Sequence, residues 1–188
     1  MNFAKKHKLK LGKIDDLIAY RLNRENLIKY RKSSIIKIKK QDYKIKIFEN
    51  LLDGSENFAL IKGKIKKNNN PRVRVISSNI IKNYLMGENL PNSFKKTIDH
   101  FKKYKDCVLI FIRDTNLKSV SETLKSYKSK RYYKKGEDKL IRNYGIGAQI
   151  IKALNIKNMI LVTRSKKKVI GLEGYGIKIT KQEIIKWK

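Results

Sequence analysis

Six apolar residues in a row, Cys107-Val108-Leu109-Ile110-Phe111-Ile112, bounded by Asp106 and Arg113, limit the fold of this chain more than any other stretch. A run of that length is too short for a core helix and reads as a buried strand. Phe94, Ile98, Phe101 and Tyr104 precede it at helical spacing, and Leu117, Val120, Leu124 and Tyr127 form a second helical stripe after it. A further helix is expected over Ile146 to Leu154, with strands over Met159 to Thr163 and Ile177 to Thr180. Helices alternating with strands in this way predict βαβ-like units.

Upstream the period changes to two. Tyr43 to Phe48, Phe58 to Ile65 and Arg72 to Ile76 alternate, with turn signals at Asp53-Gly54 and Asn68-Asn69-Asn70-Pro71 between them. They predict three strands of an antiparallel unit. Ile14, Leu17, Ile18, Leu22 and Ile28 predict an N-terminal helix over residues 14 to 28, and the lysine-rich Lys125 to Lys135 reads as an exposed loop. No internal repeat is present. The expected fold class is α+β, an antiparallel N-terminal part followed by βαβ-like units.

A length of 188 residues suits one domain, or one domain with a short extension. The net charge of +31 would ordinarily point to nucleic acid or another anionic surface. Here the charge comes from 38 Lys against only 9 Arg, accompanied by 27 Ile and 16 Asn, all three abundant types being encoded by A/T-rich codons. Base composition therefore accounts for much of it, and the lysines are scattered instead of forming arginine forks. The single cysteine, Cys107, excludes an intrachain disulfide and reads as an inert core thiol. No run approaches the roughly 18 apolar residues of a membrane span, and no secretory core follows Met1, so a cytoplasmic protein is expected.

Arg142-Asn143-Tyr144-Gly145-Ile146-Gly147-Ala148-Gln149 stands upstream of Leu161 to Lys168 and Gly174-Tyr175-Gly176, an order that resembles the C-terminal half of GTP cyclohydrolase II. Asp53-Gly54 followed by Phe58 to Gly63 is similar to that family's early strand pair, and Arg72-Val73-Arg74-Val75 to its strand leading into the metal site. The resemblance implies a GTP cyclohydrolase II-like mixed sheet with flanking helices over residues 31–188. Phe3 to Leu9 and Ile14 to Arg21 resemble the end of dihydroxybutanone phosphate synthase, which makes residues 1–30 an extension whose synthase body would lie upstream of Met1.

The family holds its catalytic zinc with three thiolates, whereas this chain reads Ile76-Ser77-Ser78-Asn79 and then Ile80 to Asn92 without a cysteine. Asn79 stands at the first ligand position, and an amide is a poor zinc ligand beside a thiolate. His7 and His100 are far apart in sequence, so no metal site and no resident cofactor are expected, with magnesium only alongside bound GTP. Ring opening would then lack its activated water.

The resemblance assigns Arg142 to the triphosphate, as the catalytic residue if chemistry survives, since a guanidinium makes bidentate bonds to phosphate. Thr163 and Lys168 match nucleotide contacts, and Arg113 is what remains of a Gln-Glu-Gly-Arg run. Leu140 replaces an aspartate, with Glu137 and Asp138 nearby. Against this stands a purely structural reading, in which Gly145, Gly147, Ala148 and Gly174 serve close packing and Lys166 to Lys168 is a solvated loop. The expected function is a degenerate GTP cyclohydrolase II-like domain of riboflavin biosynthesis, a scaffold or regulator of pathway enzymes and a homodimer like its relatives. Two alternatives stay open. One is residual cyclohydrolase or pyrophosphate-releasing activity on GTP; the other is nucleic-acid binding with Arg131, Tyr132 and Tyr133 in the contact surface.

Overall fold

A computed structural model of the chain describes residues 2–10, 12, 20, 24–66, 69–78, 90–113, 137–166, 169 and 172–185. Among these, seven strands form one sheet: β1 (Ile28–Ile38), β2 (Gln41–Asn50), β3 (Glu56–Lys62), β4 (Arg72–Ser77), β5 (Cys107–Ile112), β6 (Asn158–Thr163) and β7 (Lys178–Ile184). The helices are α1 (Asn2–Lys6), α2 (Leu90–Lys102) and α3 (Glu137–Ala153), with a 3₁₀ turn at Glu173–Tyr175. The strand order is β1-β2-β3-β5-β4-β6-β7. β1, β2, β3 and β5 pair antiparallel in succession, whereas β5, β4, β6 and β7 pair parallel. The fold is a mixed α+β sheet, as the pattern predicts.

The apolar strand β5 lies between β3 and β4. Val108, Ile110 and Ile112 face one way, into a core with Val73, Ala59 and the α3 residues Ile146, Ile150 and Ile151. Cys107 and Leu109 face the other way, onto Leu60 and the α2 residues Ile98 and Phe101. The helices lie on opposite faces because β4 leads through α2 to the neighbour on one side, while β5 leads through α3 back past β4 to β6. Right-handed crossovers running in opposite directions must cover opposite faces.

The structure corrects several boundaries. Ile28 opens β1 and does not close a helix; Tyr20 and Arg24 are helical, while residues 13–19 and 21–23 fall outside the described residues. The antiparallel unit contains β1, and Arg72–Ser77 belongs to the parallel half. β1 escapes the alternation rule because a bulge between Tyr30 and Lys32 changes its phase. β3 ends at Lys62 because Gly63 takes φ 78°, and a Cβ there would lie 2.4 Å from both Asp106 Oδ1 and the Lys105 carbonyl oxygen. α3 starts at Glu137, earlier than its apolar stripe, and β7 continues past Thr180 to Ile184. The stripe Leu117 to Tyr127 and the loop Lys125 to Lys135 lie outside the described residues, and no described helix is long and apolar enough to cross a membrane.

Three polar ties, buried or half-buried, set the elements against one another. Lys62 Nζ donates to the carbonyls of Phe101 (3.0 Å) and Lys102 (3.2 Å), satisfying the C-terminal end of α2. Gln149 of α3 accepts from Leu27 N and donates to the Glu25 carbonyl, each at 2.8 Å, which fixes the lead into β1. Arg72 of β4 makes a two-pronged pair with Glu183 of β7, 2.9 Å on each prong, and its guanidinium lies 3.3 Å above the Tyr104 ring. His100 Nε2 stands 3.4 Å from the same carboxylate.

Burial alone would raise the Glu183 pKa, but Arg72 and then His100 outweigh it and hold the carboxyl below its ordinary value. The sign follows from the depressed pKa: the stabilisation is complete above the ordinary glutamate range and is lost as pH falls through the folded value. Glu183→Gln should lower the unfolding free energy at neutral pH by about 2 kcal/mol. It should also flatten the acid limb below about pH 5 in urea titrations. A variant with the parent's acid limb would show that other groups set it.

Candidate functional site

The parallel strands β5, β4 and β6 all end at one rim, at Ile112-Arg113, Ser77-Ser78 and Thr163-Arg164. β4 and β5 are neighbours, and α2 and α3, the next described helices in the chain, lie on opposite faces, an arrangement in which open α/β sheets commonly bind ligands beyond the carboxyl ends of the strands. Ser78 N donates to the Ile112 carbonyl at 2.9 Å and Ile185 N to the Thr163 carbonyl at 2.9 Å, which ties the strand exits together.

Arg74 is buried in β4 on the α2 face, and its Nη2 donates to Ser93 Oγ, in the first turn of α2, at 3.2 Å. Burial first, and the charge of Arg164 second, bring its pKa down to about 10. Arg74 thus stands beside the N-terminal end of a 13-residue helix, an end whose field favours anions, and within electrostatic reach of Arg164.

The residues expected from sequence fall around this rim unequally. Arg113 directly follows β5 and is exposed; its backbone N donates to Oδ1 of the buried Asn57 at 2.9 Å. Thr163 ends β6 on the face shared by Met159 and Leu161, beneath α3; it is buried and its Oγ1 has no hydrogen-bond partner among the described residues. Arg142 belongs to α3, five residues before Gly147, where a Cβ would meet Ile112 at 3.3 Å and Val75 at 3.5 Å. At a helical rise of about 1.5 Å per residue, the Arg142 backbone stands roughly 7.5 Å further toward the rim. Lys168 lies outside the described residues.

Sequence reasoning missed Arg74, Arg164 and Asn57. The signal for Arg74 was present in the alternation of Arg72-Val73-Arg74-Val75-Ile76, which puts a cation on the same face as the core residue Ile76.

β4 leaves through Ser77 and Ser78, and among the described residues no three His, Cys, Asp or Glu side chains stand close enough to hold a metal ion. Cys107 opens β5 at the opposite end, roughly 17 Å from the rim at the usual strand rise. Burial pushes its thiol up to about 12. His100 is committed to Glu183. A cavity of about 360 Å³ beside Arg24, Gln149, Lys152 and Tyr175 contains none of the expected site residues.

The model of the family described as GTP cyclohydrolase II matches residues 30–183. The riboflavin biosynthesis protein RibBA of Aquifex aeolicus is 30% identical over 203 residues, covering 99% of this chain and 49% of that protein. The monofunctional riboflavin biosynthesis protein RIBA 2, chloroplastic, of Arabidopsis thaliana is 31% identical, over 95% of this chain and 38% of its own length. The 3,4-dihydroxy-2-butanone 4-phosphate synthase of Neisseria meningitidis is 28% identical, with 95% and 48% covered. Among solved structures, RibBX of A. baumannii, a two-domain 3,4-dihydroxy-2-butanone 4-phosphate synthase, shares the fold with a TM-score of 0.67 at 22% identity, over 99% of this chain and 48% of that one. The chain thus spans about half the length of these relatives, or less.

Inorganic pyrophosphate should raise the thermal midpoint of the protein, by the equivalent of about 2.7 kcal/mol at a hundredfold excess over its Kd. Arg74→Met should abolish that gain while changing the unliganded stability by less than about 2 kcal/mol, because it also removes a buried charge. Equal stabilisation of parent and variant in a thermal-shift titration would remove Arg74 from the anion site.

Proposed function

The chain belongs to the GTP cyclohydrolase II family, and from that membership we propose that it is a degenerate domain serving riboflavin biosynthesis. It binds the phosphates of GTP and lacks zinc-dependent ring opening. The observation that carries this reading is the place of its only thiol, buried at the far end of β5 while the exit of β4 offers serines. Attack on the guanine ring carbon needs a water made nucleophilic near neutral pH, which a metal supplies by lowering its pKa. Arg74, Arg113 and Arg164 are cations at ordinary pH; they neutralise and orient phosphate but take no proton from water. Thr163 offers a hydroxyl to a phosphate oxygen, and the family resemblance assigns Arg142, in α3, a further phosphate contact. The result is retention without turnover.

Relatives named for riboflavin biosynthesis support the pathway. The Neisseria protein matches 95% of this chain and is named for the dihydroxybutanone phosphate synthase reaction. A domain of this family accompanying another enzyme suits a scaffold or regulator of pathway enzymes.

Calorimetric titration of the purified chain with GTP, run beside a formate assay with and without added zinc, tests this reading. Binding should weaken about tenfold in Arg142→Ala, the loss of one charge-assisted contact, and no formate should appear under either condition. Zinc-dependent formate would restore the cyclohydrolase. Pyrophosphate released without formate would assign the residual activity through Arg142 instead.

A further inference from the structure

The β1–β2 hairpin carries a surface that the rim does not use. Between Ile28 and Asn50 the chain has eight Lys and Arg and two acidic residues. β1 is the edge of the sheet, and the core under α3 reaches this hairpin at Ile28 and Phe48. Beyond them the register puts Tyr30 opposite Phe48, then, past the bulge, Ser33 opposite Lys46, Ile35 opposite Lys44 and Lys37 opposite Asp42. All eight face the side on which α3 lies.

Away from the helix, Ile35 is 72% and Tyr30 51% exposed on this face. Tyr30 is also held in place. Its ring packs edge-on against Phe48 at 6.0 Å between centroids, and Lys46 Nζ stands 5.8 Å from the ring centre. Asp42 offsets Lys37, and elsewhere on the hairpin Glu49 pairs with Arg31 and Asp99 with Lys39. Lys44 and Lys46 are two residues apart on one strand, about 7 Å.

Lysines on an edge strand discourage pairing with other chains, and that alone explains cations along β1. It does not explain a braced, exposed aromatic ring and an exposed isoleucine between them. An open sheet face with an aromatic platform flanked by cations suits a chain of bases and phosphates, because stacking tolerates any base and lysines neutralise phosphates. We propose that this face of the β1–β2 hairpin binds single-stranded nucleic acid, with a base stacked on Tyr30 and the adjoining phosphates neutralised by Lys44 and Lys46.

The test is fluorescence anisotropy of the full chain with a mixed-sequence single-stranded RNA of about 12 nucleotides. A protein of net charge +31 attracts any polyanion, so the control is a matched charge change elsewhere, Lys157→Glu with Lys178→Glu, both exposed and remote from the hairpin. Lys44→Glu with Lys46→Glu should weaken binding tenfold or more beyond the control and lower the slope of log affinity against log salt by about 1.4, the release expected for two phosphates on a single strand. Tyr30→Ala should weaken it about tenfold, within the range for loss of one stacked base, and Tyr30→Phe should restore it, since stacking uses the ring. Equal loss in both lysine pairs, or full affinity in Tyr30→Ala, would overturn the proposal and leave diffuse attraction. So would Lys44- and Lys46-dependent binding to anionic lipid vesicles without binding to the RNA.

Discussion

A strand with no polar side chain must be covered on both faces, and β5 imposes that demand on the rest of the molecule. Cys107 and Leu109 need one apolar layer, Val108 and Ile110 another, and the chain meets both by sending one crossover helix over each face. Opposite crossovers leave the exits of β4 and β5 pointing apart. The placing of α2 and α3 on opposite faces is therefore a consequence of burying β5. Gly147 lets α3 lie directly on Ile112 and Val75, with the helix segment carrying Arg142 toward the carboxyl rim.

Two arginines of β4 show how the same sheet treats a cation in two ways. Arg72 and Arg74 are two residues apart and share a face. Arg72 meets a carboxylate on two prongs and the face of Tyr104, which locks the edge strand β7 to the middle of the sheet. Arg74 meets Ser93 and the field of a second arginine, with its charge disfavoured by burial. The first arrangement joins two strands and serves stability; the second sets a buried cation beside the N-terminal end of α2.

Much of this was legible in sequence where one physical signal dominated. The β5 run, the α2 stripe of Phe94, Ile98 and Phe101, and the β6 run each answer to burial alone, and each stands where it was expected. Edge strands were harder. β1 is exposed along most of its length and bulged, so neither alternation nor apolar content marks it, and the charged half of β7 hides its extent. β4 alternates as an antiparallel strand would, and only pairing across the sheet shows that it is parallel. For the site, family resemblance suggested Arg113, Thr163, Arg142 and Lys168, while Arg74 drew notice only once the sheet put it against α2. The position of Cys107 illustrates the same point: sequence counts one thiol, but geometry shows that it is at the wrong end of its strand for the rim.

We propose a domain that holds nucleotide phosphates and takes up no zinc. Metal analysis of the protein produced in zinc-supplemented medium, purified without chelator and measured by mass spectrometry against protein concentration, tests that most directly. Zinc far below one ion per chain, with thermal stability unchanged by a chelator, is the predicted result. One zinc per chain, whose removal lowers the thermal midpoint, would contradict the account.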